Sequence, residues 1–294
     1  MPEVAGAPRQ DFLFRRLDKP EEFRAAEEVH RAAFGPSEEP PTPGSIQRVV
    51  QDNGGLVIGA FADIYLAGFT AGFLGWDGSA LYHYSLTTAV RPEYQNHHVG
   101  FRLKALEREE VTRQGLSLDR WTFDPLSSRN AYLSLRRLGA VADRYLTHYY
   151  GQLGPEGNRG LETDRLRVSW PLSGDRVAQR MAGRSPAASE DARRWGESTA
   201  VVETVQGESG IRVPVTVTEP SAGRVHIEIP FDIDLVRQHE SNSLRTWRHA
   251  VRDAFRSAFD AGYAVDDFAL LSPEHERRAF YFLSAPEAAK PPPA

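Results

Sequence analysis

The feature that most limits what this chain can fold into is the run from Thr87 to Gly115, TTAVRPEYQNHHVGFRLKALEREEVTRQG. It reads as a strand, a tight polar loop and a helix. Apolar residues end at Val90, the Arg91-Pro92 pair stops further strand pairing, and Val99, Leu103 and Leu106 then recur at helical spacing. Amides at the start of a helix have no partner inside it. The backbone N–H groups of residues 95 to 101 are therefore expected to face an anion, aided by the positive end of the helix dipole.

Composition narrows the class of partner. With 294 residues, 40% of them apolar, the chain is long enough for one large packed domain or two smaller ones. A net charge of −5 argues against a general nucleic-acid binder, because phosphate neutralisation needs a basic face. The absence of cysteine excludes disulfides, thiol nucleophiles and zinc-thiolate sites, and with no sign of an oxidising compartment the cytoplasm is expected. No apolar run approaches the roughly 20 residues that span a bilayer, and the first ten residues lack a basic-then-apolar signal, so no membrane partner is expected.

Along the chain, residues 1–10 are expected to be disordered, and Asp11 to Leu17 to form a short strand. A helix opens at Lys19-Pro20-Glu21-Glu22, carries Phe23, Ala26, Val29 and Ala33 on one face, and stops before Gly35-Pro36. Ser45 is placed to cap the next helix. Leu56 to Phe61 and Tyr65 to Trp76 read as strands, Asp77-Gly78 as a hairpin turn, and Ala80 to Val90 as the strand before the polar loop. Strict alternation on that strand sets Tyr82, Tyr84, Leu86 and Thr88 on one face and His83, Ser85 and Thr87 on the other. Trp121 to Phe123 is a neighbouring strand, Ser127 or Ser128 caps a helix that Gly139 ends, and Tyr145 to Gly151 and Leu166 to Trp170 are further strands. Residues 171–198 show little periodicity and read as a linker. A smaller lobe at 199–286 has strands over 199–205, 211–217 and 224–229, one long helix from about Asp234 to Ala261, and two closing strands at 267–271 and 277–283. Residues 287–294 form a tail that cannot pack.

The segment Val90-Arg91-Pro92-Glu93-Tyr94-Gln95-Asn96-His97-His98-Val99-Gly100 resembles the acyl-CoA motif of the GNAT acyltransferases, in which such a loop cradles the CoA pyrophosphate. Gln95 and Gly100 match the motif, and His98 stands where it has its middle glycine. The run Arg120 to Leu126, Asn130-Ala131 and Leu138-Gly139-Ala140 is similar to the fifth strand and following helix of the same fold. WTFDPL, Tyr149-Tyr150-Gly151 and Asp164-Arg165 resemble a branch of that family associated with N-acylamino acid racemases, some members of which look like N-succinyltransferases of amino acids.

The resemblance implies an α+β fold with a mixed sheet: a GNAT-like acyl-CoA N-acyltransferase core over 1–170 with a C-terminal α+β lobe. It implies acetyl-CoA or succinyl-CoA as co-substrate and a homodimer, with Ala89, Val90, Gln95, Asn96, His97, His98, Val99, Gly100, Phe101 and Asn130 contacting the cofactor. The thioester carbonyl would be held by a backbone N–H near Ala89 or Val90. A small-molecule amine, an amino acid above all, would attack directly. Competing readings are acetylation of a protein or antibiotic amine, and a non-catalytic CoA-binding module.

Candidates for the base are His83, which titrates near neutrality, and Asp124 at its strand end, with a hydrogen-bonded histidine and a turn-capping aspartate as the plain alternatives. The family's tyrosine acid, counted back from Gly139, falls on Leu135. Tyr132 and Tyr145 are the nearest substitutes, each with packing as its alternative. Arg129, Arg144 and Arg165 are candidates to pair a substrate carboxylate. Adjacent His97 and His98 point different ways, so no metal site is expected.

Overall fold

The computed structural model describes residues 11–35, 40–151, 161–207, 209–239, 243–272 and 276–286. The end segments expected to be unpacked, 1–10 and 287–294, lie outside them. The fold is α+β with a mixed sheet, and the chain divides into two compact units, 1–119 and 120–294. Among the described residues no helix is long and apolar enough to cross a membrane.

The first unit contains β1 (Leu13–Arg16), α1 (Pro20–Phe34), α2 (Gly44–Asp52), β2 (Leu56–Ala62), β3 (Tyr65–Trp76), β4 (Leu81–Val90) and α3 (Val99–Arg113). Its strands run antiparallel in the order β1-β2-β3-β4. Alternation along β2 sends Val57 to one face and Ile58 to the other, and each face is covered by a helix. Phe23, Ala26 and Val29 of α1 pack with Val57, Phe69 and Ala89. On the opposite face, Val99 and Leu103 of α3 pack with Ile58 and Ala60. The helix expected to be capped by Ser45 begins two residues earlier, with Pro43 at the cap position. Its amide at Gly44 is satisfied from a distance by Glu27 Oε1 at 2.7 Å, a tertiary contact that local propensity cannot reveal.

One glycine sets how closely α3 approaches the sheet. A Cβ on Gly68 would lie 2.9 Å from the Ala89 carbonyl and 3.3 Å from Val99 Cγ1. Gly68→Ala is therefore expected to cost about 1–3 kcal/mol, as overpacking does, measured by urea unfolding.

In β4 the register with β3 slips between Ala71 and Gly72, so that Thr87 and Ser85 pair across and Leu86 is bulged. The bulge resets the alternation. Thr88, expected on the face away from His83, joins it on the α3 side, where its hydroxyl meets Thr70 Oγ1 at 2.8 Å and Thr70 in turn donates to Glu107 of α3 at 2.6 Å.

The chain passes from the first unit to the second within β5 (Leu118–Phe123). There follow α4 (Ser128–Ala131), a π-helical turn at Tyr132–Arg137, β6 (Val141–Leu146), β7 (Arg165–Pro171), α5 (Asp175–Met181), α6 (Ala188–Gly196), β8 (Thr199–Ala200), β9 (Val202–Gln206), β10 (Arg212–Val217), β11 (Arg224–Ile229), α7 (Ile233–His239), α8 (Ser243–Asp260), β12 (Ala264–Leu271) and β13 (Arg278–Ser284). In this unit the strand order is β5-β7-β6-β12-β13-β11-β8, with β8 parallel to β11 and β9 and β10 forming a separate hairpin.

Four expectations are corrected here. The strand read at 145–151 lies at 141–146, and the chain turns at residues 147–150. The single strand read over 199–205 is divided: β8 joins β11, whereas β9 pairs with β10. The long helix begun at Asp234 is two helices, α7 and α8. The linker at 171–198 is folded, with α5 and α6 held by buried ion pairs: Arg180 reaches Asp267 at 2.7 Å, and Arg136 bridges Asp191 and Asp267. Arginine and aspartate that look like a solvated linker in sequence are here a buried charge network, which hydropathy cannot distinguish.

Candidate functional site

The loop between β4 and α3 is built from the strand outward. Arg91 continues the antiparallel pairing through its N–H to the Ala67 carbonyl at 2.9 Å, and its Nε donates to Leu66 O at 3.0 Å. Pro92 then starts a short 3₁₀ turn through Tyr94, whose ring packs edge-on against Phe12. Gln95 folds back, its Nε2 donating to Val90 O at 3.0 Å and its backbone N–H to Pro92 O at 3.2 Å, so its amide, expected to face an anion, is taken up by the turn itself. Asn96 (φ 67°) and His98 (φ 59°) both take the left-handed conformation that favours glycine. His98 thus holds, with a side chain, a backbone shape that favours glycine.

The N–H groups of residues 96 to 100 donate to no described residue, and α3 has no side-chain cap. Asn96, His97 and His98 are exposed, Gly100 is half-buried, and a Cβ on Gly100 would meet Val90 at an ordinary 3.8 Å. Unpartnered amides beside left-handed residues, at the positive end of a fifteen-residue helix, have the donor character and polarity that suit an oxyanion. Their donor character fits a phosphate group. Val99 is buried, Phe101 half-buried, and Ala89 is buried in pairing with Phe69 while Val90 pairs with Gly68.

The candidates for proton transfer meet different fates. His83 is fully buried, its Nδ1 3.0 Å from Asp119 Oδ1 and 3.3 Å from Glu107 Oε1. A base must touch its substrate, so this corrects the expectation for His83, which serves a structural cluster instead. Lys104 completes that cluster, with Nζ 2.9 Å from Asp119 and 3.1 Å from Glu107. Burial alone would push its pKa down, but the charges of Asp119 and then Glu107 outweigh burial and hold it above the ordinary value. Asp119 is likewise held below the carboxylate range because the Lys104 charge and the His83 hydrogen bond overcome its burial. The ring of His83 also explains Gly72, where a Cβ would lie 2.5 Å from Nε2.

This quartet was missed in the sequence. Lys104 and Glu107 share the inward face of α3 with Leu103 and Val111, and charges set among apolar helix positions were the available signal. His83, Glu107 and Asp119 sit close enough to hold a metal ion, but the lysine ammonium already occupies both carboxylates.

In the second unit Asp124 accepts a two-pronged hydrogen bond from the fully buried Arg248, at 2.8 and 2.7 Å, and caps its own turn through the Leu126 N–H. The arginine more than offsets burial and lowers the carboxyl pKa, which makes Asp124 a poor base. Tyr145 donates to Asp164 at 2.8 Å and stacks on Phe255; burial first, and then the Asp164 charge, push its phenol far up. Tyr132 is half-buried on the π-helical turn and its hydroxyl bonds no described residue. Asn130 is half-buried, its N–H capped by Ser127 Oγ, which assigns the cap to Ser127 rather than Ser128. Arg144 is exposed, and Arg165 is buried with its guanidinium over the Tyr150 ring at 4.9 Å.

The chain is similar to several solved acyltransferase structures. A ribosomal-protein alanine N-acetyltransferase from Escherichia coli is 17% identical with a TM-score of 0.46, covering 56% of this chain and 96% of that one. An N-acetyltransferase from Staphylococcus aureus is 13% identical with a TM-score of 0.45, over 55% of this chain and 99% of that one. Arabidopsis thaliana NAA60, in complex with acetyl-CoA, is 16% identical with a TM-score of 0.44, over 54% and 99%. No protein-family model and no curated protein matches the chain.

Proposed function

We propose that this protein is an acyl-CoA-dependent N-acyltransferase that moves an acetyl or succinyl group from CoA to the amine of a small molecule, an amino acid above all. The observation that carries the reading is the row of unpartnered N–H groups at residues 96–100, its first three residues exposed, leading into α3 from a strand that ends at Val90. These amides would hold the CoA diphosphate, and a backbone N–H at Ala89 or Val90 would polarise the thioester carbonyl. Direct attack by a neutral amine needs no enzyme nucleophile, in keeping with a chain that has no cysteine. The thiolate of CoA leaves and takes a proton, while the amine loses one. Fixing both reactants side by side supplies much of the rate.

Two measurements test the reading. Calorimetric titration with acetyl-CoA and succinyl-CoA reports on the diphosphate seat, and thiol release with a panel of D- and L-amino acids, a peptide and an aminoglycoside reports on the acceptor. Binding with release on an amino acid supports the proposal, release on peptide or aminoglycoside alone redirects it, and binding without release on any acceptor favours a non-catalytic CoA module. Gly100→Asp sets a carboxylate beside the amides and is expected to weaken CoA binding at least about tenfold, the scale of a lost charge-assisted hydrogen bond. Unchanged affinity would move the diphosphate elsewhere.

A further inference from the structure

The second unit has an open groove of about 550 Å³, lined by none of the residues assigned above to acyl transfer and within the size range of small-molecule sites. One wall is apolar, from Val202, Val205 and Val215 of the β9–β10 hairpin, and Val205 and Val215 remain about half exposed rather than packed. Trp195, His226 and Arg278 line it as well. An open groove that leaves these valines half exposed and is lined as well by an indole and an imidazole differs from an ordinary packing fault.

Its polar chemistry can be read atom by atom. Ser198 Oγ donates to the Trp195 carbonyl at 3.0 Å and lies 2.7 Å from His226 Nδ1. With the single hydroxyl proton directed at the carbonyl, Nδ1 carries the imidazole proton and donates to Ser198, which leaves Nε2 as a lone-pair acceptor. His226 is 7% exposed, and its Nε2 bonds to no described residue. The ring is fixed edge-on to Phe280 at 5.3 Å. Burial, and then the charge of Arg278, hold the imidazole pKa down to about 4, so the acceptor is present at neutral pH.

Charge limits the ligand further. Arg278 is paired with Glu228, its Nε donating at 2.8 Å, and its guanidinium lies over the Trp195 ring at 5.9 Å, which disfavours a second cation against the indole. Glu203 on the exposed rim disfavours an anion.

We infer that this groove binds a small uncharged arene bearing an N–H or O–H donor, its ring against Trp195 and its donor on His226 Nε2. The inference does not depend on acyl transfer. Indole and 1-methylindole share ring and shape and differ in the donor, so the test is calorimetric titration of the full chain with each. Indole is expected to bind, with 1-methylindole about tenfold weaker, the effect of one hydrogen bond to a buried acceptor. His226→Phe should make the two equal, and Trp195→Leu should weaken both. No binding of indole up to its solubility, or equal affinity of the two arenes for the unsubstituted chain, overturns the assignment without recourse to any variant.

Discussion

Lys104→Met is expected to destabilise the protein by about 3–5 kcal/mol, the scale seen when one partner is removed from a buried ion pair. The ammonium is 3% exposed and bridges Asp119 and Glu107, both buried, with the imidazole of His83 against the same carboxylates. Methionine fills a similar volume but leaves two carboxylates in an apolar interior, where each must take up a proton or draw in water. Against a typical total stability of roughly 5–15 kcal/mol, that loss lowers the unfolding midpoint in urea or heat severely. A change below about 1 kcal/mol would mean that the cluster is not held together by charge.

The second large effect is in pH. The folded His226 titrates at about 4, below the ordinary histidine value of 6.5. Between those values the unfolded chain binds a proton that the folded chain refuses, so the stability present above pH 6.5 is lost as pH falls through the window to 4. The shift corresponds to roughly 2–4 kcal/mol. Since carboxylates also titrate near the lower end, the comparison is with His226→Asn, which lacks the titration. The difference in unfolding free energy between the two proteins should shrink from pH 7 to 4, and a constant difference would mean that His226 is hydrated in the folded state.

How much of this was legible in sequence follows from where the information lies. α1, β2, β3, the β4–loop–α3 unit and the Asp77-Gly78 turn were readable because local periodicity and punctuation specify them. The bulge at Leu86 was not, because it depends on how Ala71 and Gly72 register across the hairpin. The cap of α2 by Glu27 and the ion pairs that order α5 and α6 join residues 17 to 131 positions apart. At the candidate site, the loop and the free amides of 96–100 were legible from the strand end at Val90, the Arg91-Pro92 break and the helix that follows. The burial of His83 and the engagement of Asp124 by Arg248 were not, since each is decided by a partner from another element.

The close approach of Gly72 and the His83 ring constrains how the sequence can drift. As long as residue 83 carries an imidazole, any side chain at 72 collides with it, and a Cβ there would also lie 2.6 Å from the Tyr84 carbonyl, so shrinking residue 83 alone does not open position 72. Shrinking residue 83 also strips Asp119 of a hydrogen-bond partner without freeing its neighbour, so relatives of this chain should keep the glycine at 72 whatever stands at 83.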